Sequence, residues 1–207
     1  MSDMPPLSSH YVPRDRSDQV AYMFVRFLRF FADMFFAHRY GHRAVVLETV
    51  AAVPGMVGGT LQHLRSLRRM EGDHGRISLL LEEAENERMH LMTFVQIVQP
   101  SRLERLLVLL AQGIFYNLYF LYYVAFPGAA HRVVGYLEEE AVRSYTEYLA
   151  GVDNGTYDNA PAPLIAIEYW HLDADARLRE VIIAIRGDEI RHRDANHDLA
   201  DAMAKNR

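Results

Sequence analysis

The sequence predicts an all-α protein, and three observations carry that expectation. Apolar residues recur at three- and four-residue steps along the long segments, the period of a helix with one buried face. No stretch alternates with period two for long enough to make a strand. Two Glu-x-x-His pairs, Glu87/His90 and Glu189/His192, each fall mid-way along a long segment, in line with its apolar stripe.

Taken in order, residues 1–17 read as a polar, proline-bearing flexible arm, and 18–207 as a single domain. A first helix is expected from about Gln19 to His38, with Arg26, Arg29 and Asp33 at helical spacing in a very apolar run. A second spans 41–70, sets Glu48 between Val45 and Ala52, and ends in Arg65, Arg68 and Arg69. Pro54-Gly55 inside it predicts a kink or local break. Gly72-Asp73-His74-Gly75 reads as a turn. The third helix runs from about Arg76 to Val98, with Leu80, Ala84, Glu87, Leu91, Phe94 and Val98 on one face and Pro100 as its stop. Ser101 caps a fourth, expected to stop at Pro127-Gly128. The fifth, about His131 to Ala150, aligns Val134, Glu138, Ala141, Tyr145 and Leu149. Residues 151–163 make a polar loop, and a short helical piece follows near Leu164–His171. Asp173 or Asp175 is expected to cap the last helix, which reaches about Lys205. Its stripe is Leu178, Ile182, Ile185, Glu189, His192, Asn196, Leu199 and Met203.

Composition removes several classes of function. With no cysteine there are no disulfides, thiolate metal sites or iron–sulfur clusters. A net charge of −5 without a basic tail gives no support for nucleic-acid binding. The N-terminal residues lack the apolar run of a signal peptide and the acid-poor pattern of a transit peptide, which suits a bacterial or already trimmed chain.

Glu-x-x-His occurs four times, so the motif alone proves little. Glu71/His74 straddles a glycine-rich turn, and Glu168/His171 lies on a piece too short to span a bundle; both read as surface pairs. The other two pairs aim charge into an apolar core, which costs several kcal/mol per ion, roughly, unless the ion is paired or metal-bound. Glu48 and Glu138 are anomalous in the same way. Two Glu-x-x-His pairs plus one carboxylate from each of two further helices form the di-iron site of a ferritin-like four-helix bundle, and hard oxygen ligands suit iron or manganese. The bland alternative, ion pairs on solvated faces, accounts for Glu82, Glu83, Glu85 and Glu104.

Residues 106–126 run without a charge, long enough for a membrane span. Spanning would drag the charged third helix into lipid, so the better reading is an interfacial surface made by additional helices, the first and fourth, on one leaflet. Arg26, Arg29, Arg39, Arg43, Arg65, Arg68, Arg69, Arg102 and Arg105 would then meet lipid phosphates. An ordinary core helix or a dimer interface is the competing explanation.

Four segments, in order, resemble the signature boxes of the alternative oxidases: Leu47-Glu48-Thr49, Asn86-Glu87-Arg88-Met89-His90-Leu91, Leu137-Glu138-Glu139-Glu140-Ala141 and Arg186-Gly187-Asp188-Glu189-Ile190-Arg191-His192. The resemblance extends from about Val20 to Ala202. It implies a haem-free, cyanide-insensitive ubiquinol oxidase, dimeric and attached to one leaflet, on the cytoplasmic face if the cell is bacterial. Two quinols would be oxidised and dioxygen reduced to two waters at two iron ions, without proton pumping. The implied metal ligands are Glu48, Glu87, His90, Glu138, Glu189 and His192. Tyr145 is implied as the redox tyrosine, with Asn86, Asp188 and Trp170 orienting the ligands. The implied quinol pocket has Arg29, Asp33, Arg43, Leu47, Leu137, Glu140, Ala141 and Ser144, near His131. Gly187 departs from the alanine usual in the last box, at a cost of about 1 kcal/mol of helix propensity. Ser144 stands where threonine is common, and the regulatory cysteine of plant members is absent. A plastoquinol oxidase, a quinone-ring hydroxylase and a non-enzymatic ferritin-like iron-binding protein share the ligand set.

Overall fold

The computed structural model describes residues 10–36 and 39–205, except for the side chains at 35, 104 and 107. Among these residues it is all-α, with seven helices: α1 (Arg16–Phe36), α2 (Tyr40–Arg69), α3 (Arg76–Val98), α4 (Arg102–Ala125), α5 (Pro127–Asp153), α6 (Leu164–Trp170) and α7 (Leu178–Lys205). The described residues up to Tyr40 and those from His131 onward form one compact unit, and Gly41–Ala130 forms another.

In the Gly41–Ala130 unit, α2 runs as one helix through Pro54, so of the expected kink or local break the break does not occur. Gly55, Gly58 and Gly59 follow on its buried side, and they decide how α3 docks. A Cβ on Gly55 would lie 2.4 Å from the Leu80 carbonyl oxygen, so only glycine lets the two helix backbones come this close. α3 has the expected bounds. The Asp73 carboxylate accepts a bond from the Ile77 amide at 2.9 Å, and Gly75 takes the left-handed φ of 80° that turns the chain into the helix. The stripe is wider than expected. Leu80, Ala84, Glu87 and Phe94 are buried, but Leu91 and Val98 only half-buried, whereas Met89, His90 and Thr93 are buried too. Glu83 corrects the sequence reading. It is 3% exposed rather than solvated, because it lies one turn before Glu87 on the same inward face.

Among the described residues two helices are apolar and long enough to cross a membrane, α2 and Val108–Ala125 of α4, but burial separates them. More than half of the apolar stretch in α2 is buried, which makes it a core helix, whereas 11% of that in α4 is buried. Leu106, Leu109, Leu110, Ile114, Leu118 and Leu121 all stand exposed on α4. In the other unit α1 likewise exposes Val20, Met23, Phe27, Phe30 and Met34. Isolated exposed leucines are ordinary; continuous apolar helix faces mark a surface that meets something.

Pro127-Gly128 ends α4 as expected, yet it also begins α5. Proline suits the first turn of a helix, where its missing N–H is not needed, so α5 starts four residues before the expected His131 and extends to Asp153. The loop after it lies along the start of α7. Pro161 bridges to Arg177, and the Asn159 side chain accepts the Arg179 amide at 2.9 Å. Asn159 and Glu180, which accepts the Arg177 amide at 3.0 Å, therefore do the capping expected of Asp173 or Asp175.

The expected flexible arm falls partly on residues 1–9, outside the described residues. Its remainder is held. Arg16 and Ser17 are already helical, because the Asp15 carboxylate accepts the Asp18 amide at 2.8 Å and starts α1 three residues early. Ahead of it, the Tyr11 amide donates to Glu139 at 2.8 Å and the Tyr11 hydroxyl to Asp201 at 2.5 Å. Arg132 stacks 3.6 Å over the Tyr11 ring while it pairs with Asp18 and Asp201.

Candidate metal centre

Each unit brings one carboxylate–imidazole set together. In the Gly41–Ala130 unit, α2 supplies Glu48 and α3 supplies Glu87 and His90, and each offers a ligand atom within 4.8 Å of the others. The His90 Nδ1 lies 3.3 Å from Glu87 Oε2 and 3.5 Å from Glu48 Oε2, so two helices converge on one imidazole. In the other unit, α5 supplies Glu138 and α7 supplies Glu189 and His192, again with ligand atoms within 4.8 Å of one another. His192 Nδ1 lies 3.7 Å from Glu189 Oε2. All six residues are between 0% and 8% exposed. The i, i+3 spacing puts Glu and His on one face in both helices, and the apolar stripe turns that face inward. Glu71, His74, Glu168 and His171 are exposed. Core carboxylates beside core imidazoles are a donor set for a hard or borderline divalent metal, so these residues fit iron.

Around the α5/α7 set the polar neighbours are specific. The Trp170 indole N–H donates to Asp188 Oδ2 at 2.8 Å, and Arg191 pairs with the other Asp188 oxygen, which restrains the residue next to Glu189. Tyr145 is buried two turns beyond Glu138 on α5. In the Gly41–Ala130 unit, Asn86 is buried beside Glu87. His131 is buried as well, since seven-residue spacing puts it on the inward face of Glu138 and Tyr145. Asn196 Nδ2 donates to the His192 carbonyl at 3.0 Å, so its Oδ1 is left to accept His131 Nδ1–H at 2.8 Å. His131 thus lies against α7. A buried amide in an apolar stripe was the available signal for Asn196, which the sequence reading left without a role.

The three consecutive glutamates of α5 point three ways. Glu138 joins the ligand set. Glu139 accepts from the Tyr11 amide, from His10 at 2.6 Å and from His197 Nε2 at 3.1 Å. Since Arg132 can only donate to His197 Nδ1, the His197 proton sits on Nε2. Burial alone would raise the Glu139 pKa, but His197, His10 and the Tyr11 amide more than offset it and bring it below the usual value. Glu140 pairs with Arg29 at 2.8 Å, and Arg29 also reaches Asp33 at 3.1 Å. Burial opposes the Arg29 charge, yet Glu140 and Asp33 together raise its pKa. Arg29 is therefore a link between α1 and α5, not a surface i, i+4 pair. Leu137, Glu140, Ala141 and Ser144 form a half-buried line beside it. In the other unit Arg43 is buried and Leu47 partly exposed.

Fold and site define a class: an all-α protein with buried carboxylate–imidazole groups that could hold metal, compatible with a di-iron four-helix bundle. Sequence comparison gives the family within that class. A family model described as alternative oxidase matches residues 7–201, and the chain belongs to that family. It is similar to "Ubiquinol oxidase, mitochondrial" of Batrachochytrium dendrobatidis, 60% identical over 94% of this chain and 61% of the relative. It is also similar to "Ubiquinol oxidase 2, mitochondrial" of Glycine max, 59% identical over 94% of this chain and 59% of the relative. "Ubiquinol oxidase, mitochondrial" of Mangifera indica is 58% identical over 96% of this chain and 63% of the relative. The chain spans about three-fifths of the length of these curated relatives.

Proposed function

We propose that this chain is a ubiquinol:oxygen oxidoreductase that oxidises two quinols and reduces one dioxygen to two waters without pumping protons. The observation that carries the reading is the pair of buried Glu–Glu–His sets in a chain whose relatives are named ubiquinol oxidases. Glu48, Glu87 and His90 with Glu138, Glu189 and His192 would together hold two iron ions, in one domain over residues 18–207. The iron pair, when bound, supplies the redox chemistry and open positions for dioxygen. The protein's residues do the rest. The carboxylates balance the metal charge in a core that excludes water. Trp170 and Asp188 hold the start of the Glu189 turn, and Asn86 does the same beside Glu87. Asn196 fixes the His192 backbone, with His131 behind it. Tyr145 gives one electron and its hydroxyl proton.

Quinol is proposed to bind beside Arg29, Asp33 and Glu140, along Leu137, Ala141 and Ser144 and near His131, and the family resemblance adds Arg43 and Leu47 to the proposed contacts. A guanidinium and two carboxylates can meet a quinol's hydroxyls while half-buried apolar groups take its ring. The exposed faces of α1 and α4 are proposed to meet one lipid leaflet and a second copy of the chain, the protein being monotopic and homodimeric. The relatives' names place those proteins in mitochondria. For this chain the cytoplasmic face of a bacterial inner membrane is proposed.

The test is oxygen consumption by the iron-loaded protein with a short-chain ubiquinol, with and without cyanide. Quinol-dependent uptake that survives cyanide is expected, and its absence overturns the reading.

A further inference from the structure

Three tyrosines outside the metal sets touch one another in the unit that carries Tyr145. Tyr40 stacks on Tyr148 with ring centroids 5.4 Å apart and planes at 15°. Tyr157 meets both rings edge-on, at 5.4 Å from Tyr148 and 5.8 Å from Tyr40. Gly151 makes room for this, because a Cβ there would lie 2.3 Å from the Tyr157 ring. Tyr148 lies three residues after Tyr145 on α5, so the two phenols share a face about one helical turn apart. Tyr145 and Tyr148 are buried, and Tyr40 and Tyr157 half-buried, so the group leads outward. At its outer end the Tyr40 hydroxyl donates to Glu147 at 3.0 Å, and Arg143 holds the same carboxylate at 2.9 Å. Burial, and then the neighbouring Tyr157, push the Tyr148 pKa up to about 12, so Tyr148 stays a phenol with a proton to give.

We propose that Tyr148, Tyr40 and Tyr157 form an escape path that carries an oxidising equivalent from Tyr145 to the protein surface when quinol is short. The path rests on the reading of the chain as a quinol oxidase with Tyr145 as its redox tyrosine. Each step moves one hydrogen-atom equivalent. The Tyr145 phenoxyl takes an electron and a proton from Tyr148 and returns to phenol, which leaves Tyr148 as phenoxyl. Tyr148 in turn takes an electron and a proton from Tyr40 or Tyr157. Glu147 lies at the Tyr40 hydroxyl to take up its proton if the ring loses its electron first. A soluble thiol then gives a hydrogen atom to the outer phenoxyl, and two thiyl radicals combine as a disulfide. Without thiol, two outer phenoxyls couple as a dityrosine cross-link, or a second oxidising equivalent along the path and a water, which loses a proton, give a hydroxylated ring.

The experiment uses the full iron-loaded chain. Quinol-dependent oxygen uptake is measured first. The reduced protein is then exposed to dioxygen without quinol, with and without glutathione, and oxidised tyrosines are mapped by mass spectrometry. In the wild type, modification at Tyr40 and Tyr157 that glutathione suppresses is expected. Because phenylalanine has no hydroxyl proton to give, Tyr148→Phe should cut modification at Tyr40 and Tyr157 by about tenfold and shorten working life several-fold, with the initial rate within about twofold of wild type. In Tyr40→Phe, modification at Tyr157 should rise. Unchanged modification at Tyr40 and Tyr157 in Tyr148→Phe, or unchanged modification at Tyr157 in Tyr40→Phe, overturns the path while the oxidase reading stands. A wild type that consumes no oxygen with quinol overturns both.

Discussion

The two carboxylate–imidazole sets use the same residue types but are held by different means. The α2/α3 set is held by backbone approach. Gly55 brings α2 against the Leu80 carbonyl, and Gly58 and Gly59 fit against the Leu80 and Leu81 side chains, with Gln112 of α4 donating to the Thr49 carbonyl at 3.0 Å. The α5/α7 set is held by side-chain hydrogen bonds, from Asn196 to His131 and from Trp170 to Asp188, and by the Tyr11–Arg132–Asp201 clasp on the same helices. Steric close approach tolerates no added atom, whereas a polar network tolerates shape change but not loss of a partner. An added methyl should therefore act oppositely at Gly55, beside the first set, and at Gly187, beside the second.

The largest expected effect tests the ligand assignment itself. Glu138→Ala should lose iron and activity together. Glu139→Ala should keep its iron and lose the anchoring of residues 10 and 11 and of His197. Metal analysis of both purified variants checks this, and the reverse pattern would show that the wrong glutamate of the three was chosen. Next in size, Arg132→Ala leaves Asp18 and Asp201 without their buried cation and should cost about 3–5 kcal/mol in denaturant unfolding. A loss under 1 kcal/mol, roughly that of an exposed ion pair, would show the clasp to be ornamental.

Gly55→Ala should destabilise by about 1–3 kcal/mol, since the new methyl meets a backbone oxygen that cannot move aside. Gly187→Ala should stabilise by about 0.5–1 kcal/mol, because a Cβ there would meet only the far end of Arg191, at 3.9 Å. Thermal unfolding of the pair would break the comparison if both shifts had the same sign.

The smallest effect is an acid one. Burial would raise the Asp201 pKa, but the Tyr11 hydroxyl and Arg132 more than offset this and hold it below its ordinary 3.8. A carboxyl whose folded pKa is depressed contributes stability above its unfolded pKa and loses it as pH falls through the folded value. Amide exchange at residues 10–15 should therefore accelerate below about pH 3.8, and more gently in Asp201→Asn, which has no such titration.

Much of this was legible in the chain. The α3 bounds, the α7 stripe and the choice of two Glu-x-x-His pairs out of four follow from periodicity and from the length of helix around each pair, because both are local properties. Glu83 was misread because its neighbours Glu82 and Glu85 are exposed, and a one-residue shift rotates a side chain by about 100°. The His131–Asn196 bond was not legible, because the two residues lie 65 apart along the chain.

The sequence by itself determined the helices, the carboxylate–imidazole faces and the family, since each depends on residues within a turn or two or on ordered motifs. Tertiary structure decided the caps, partners and supports. Asn159 caps a helix twenty residues ahead, Arg132 meets Asp18 and Asp201 from the far ends of its unit, and Gly55 is needed only because Leu80 lies across from it. Such contacts join residues whose separation along the chain carries no period, so no pattern in the sequence announces them.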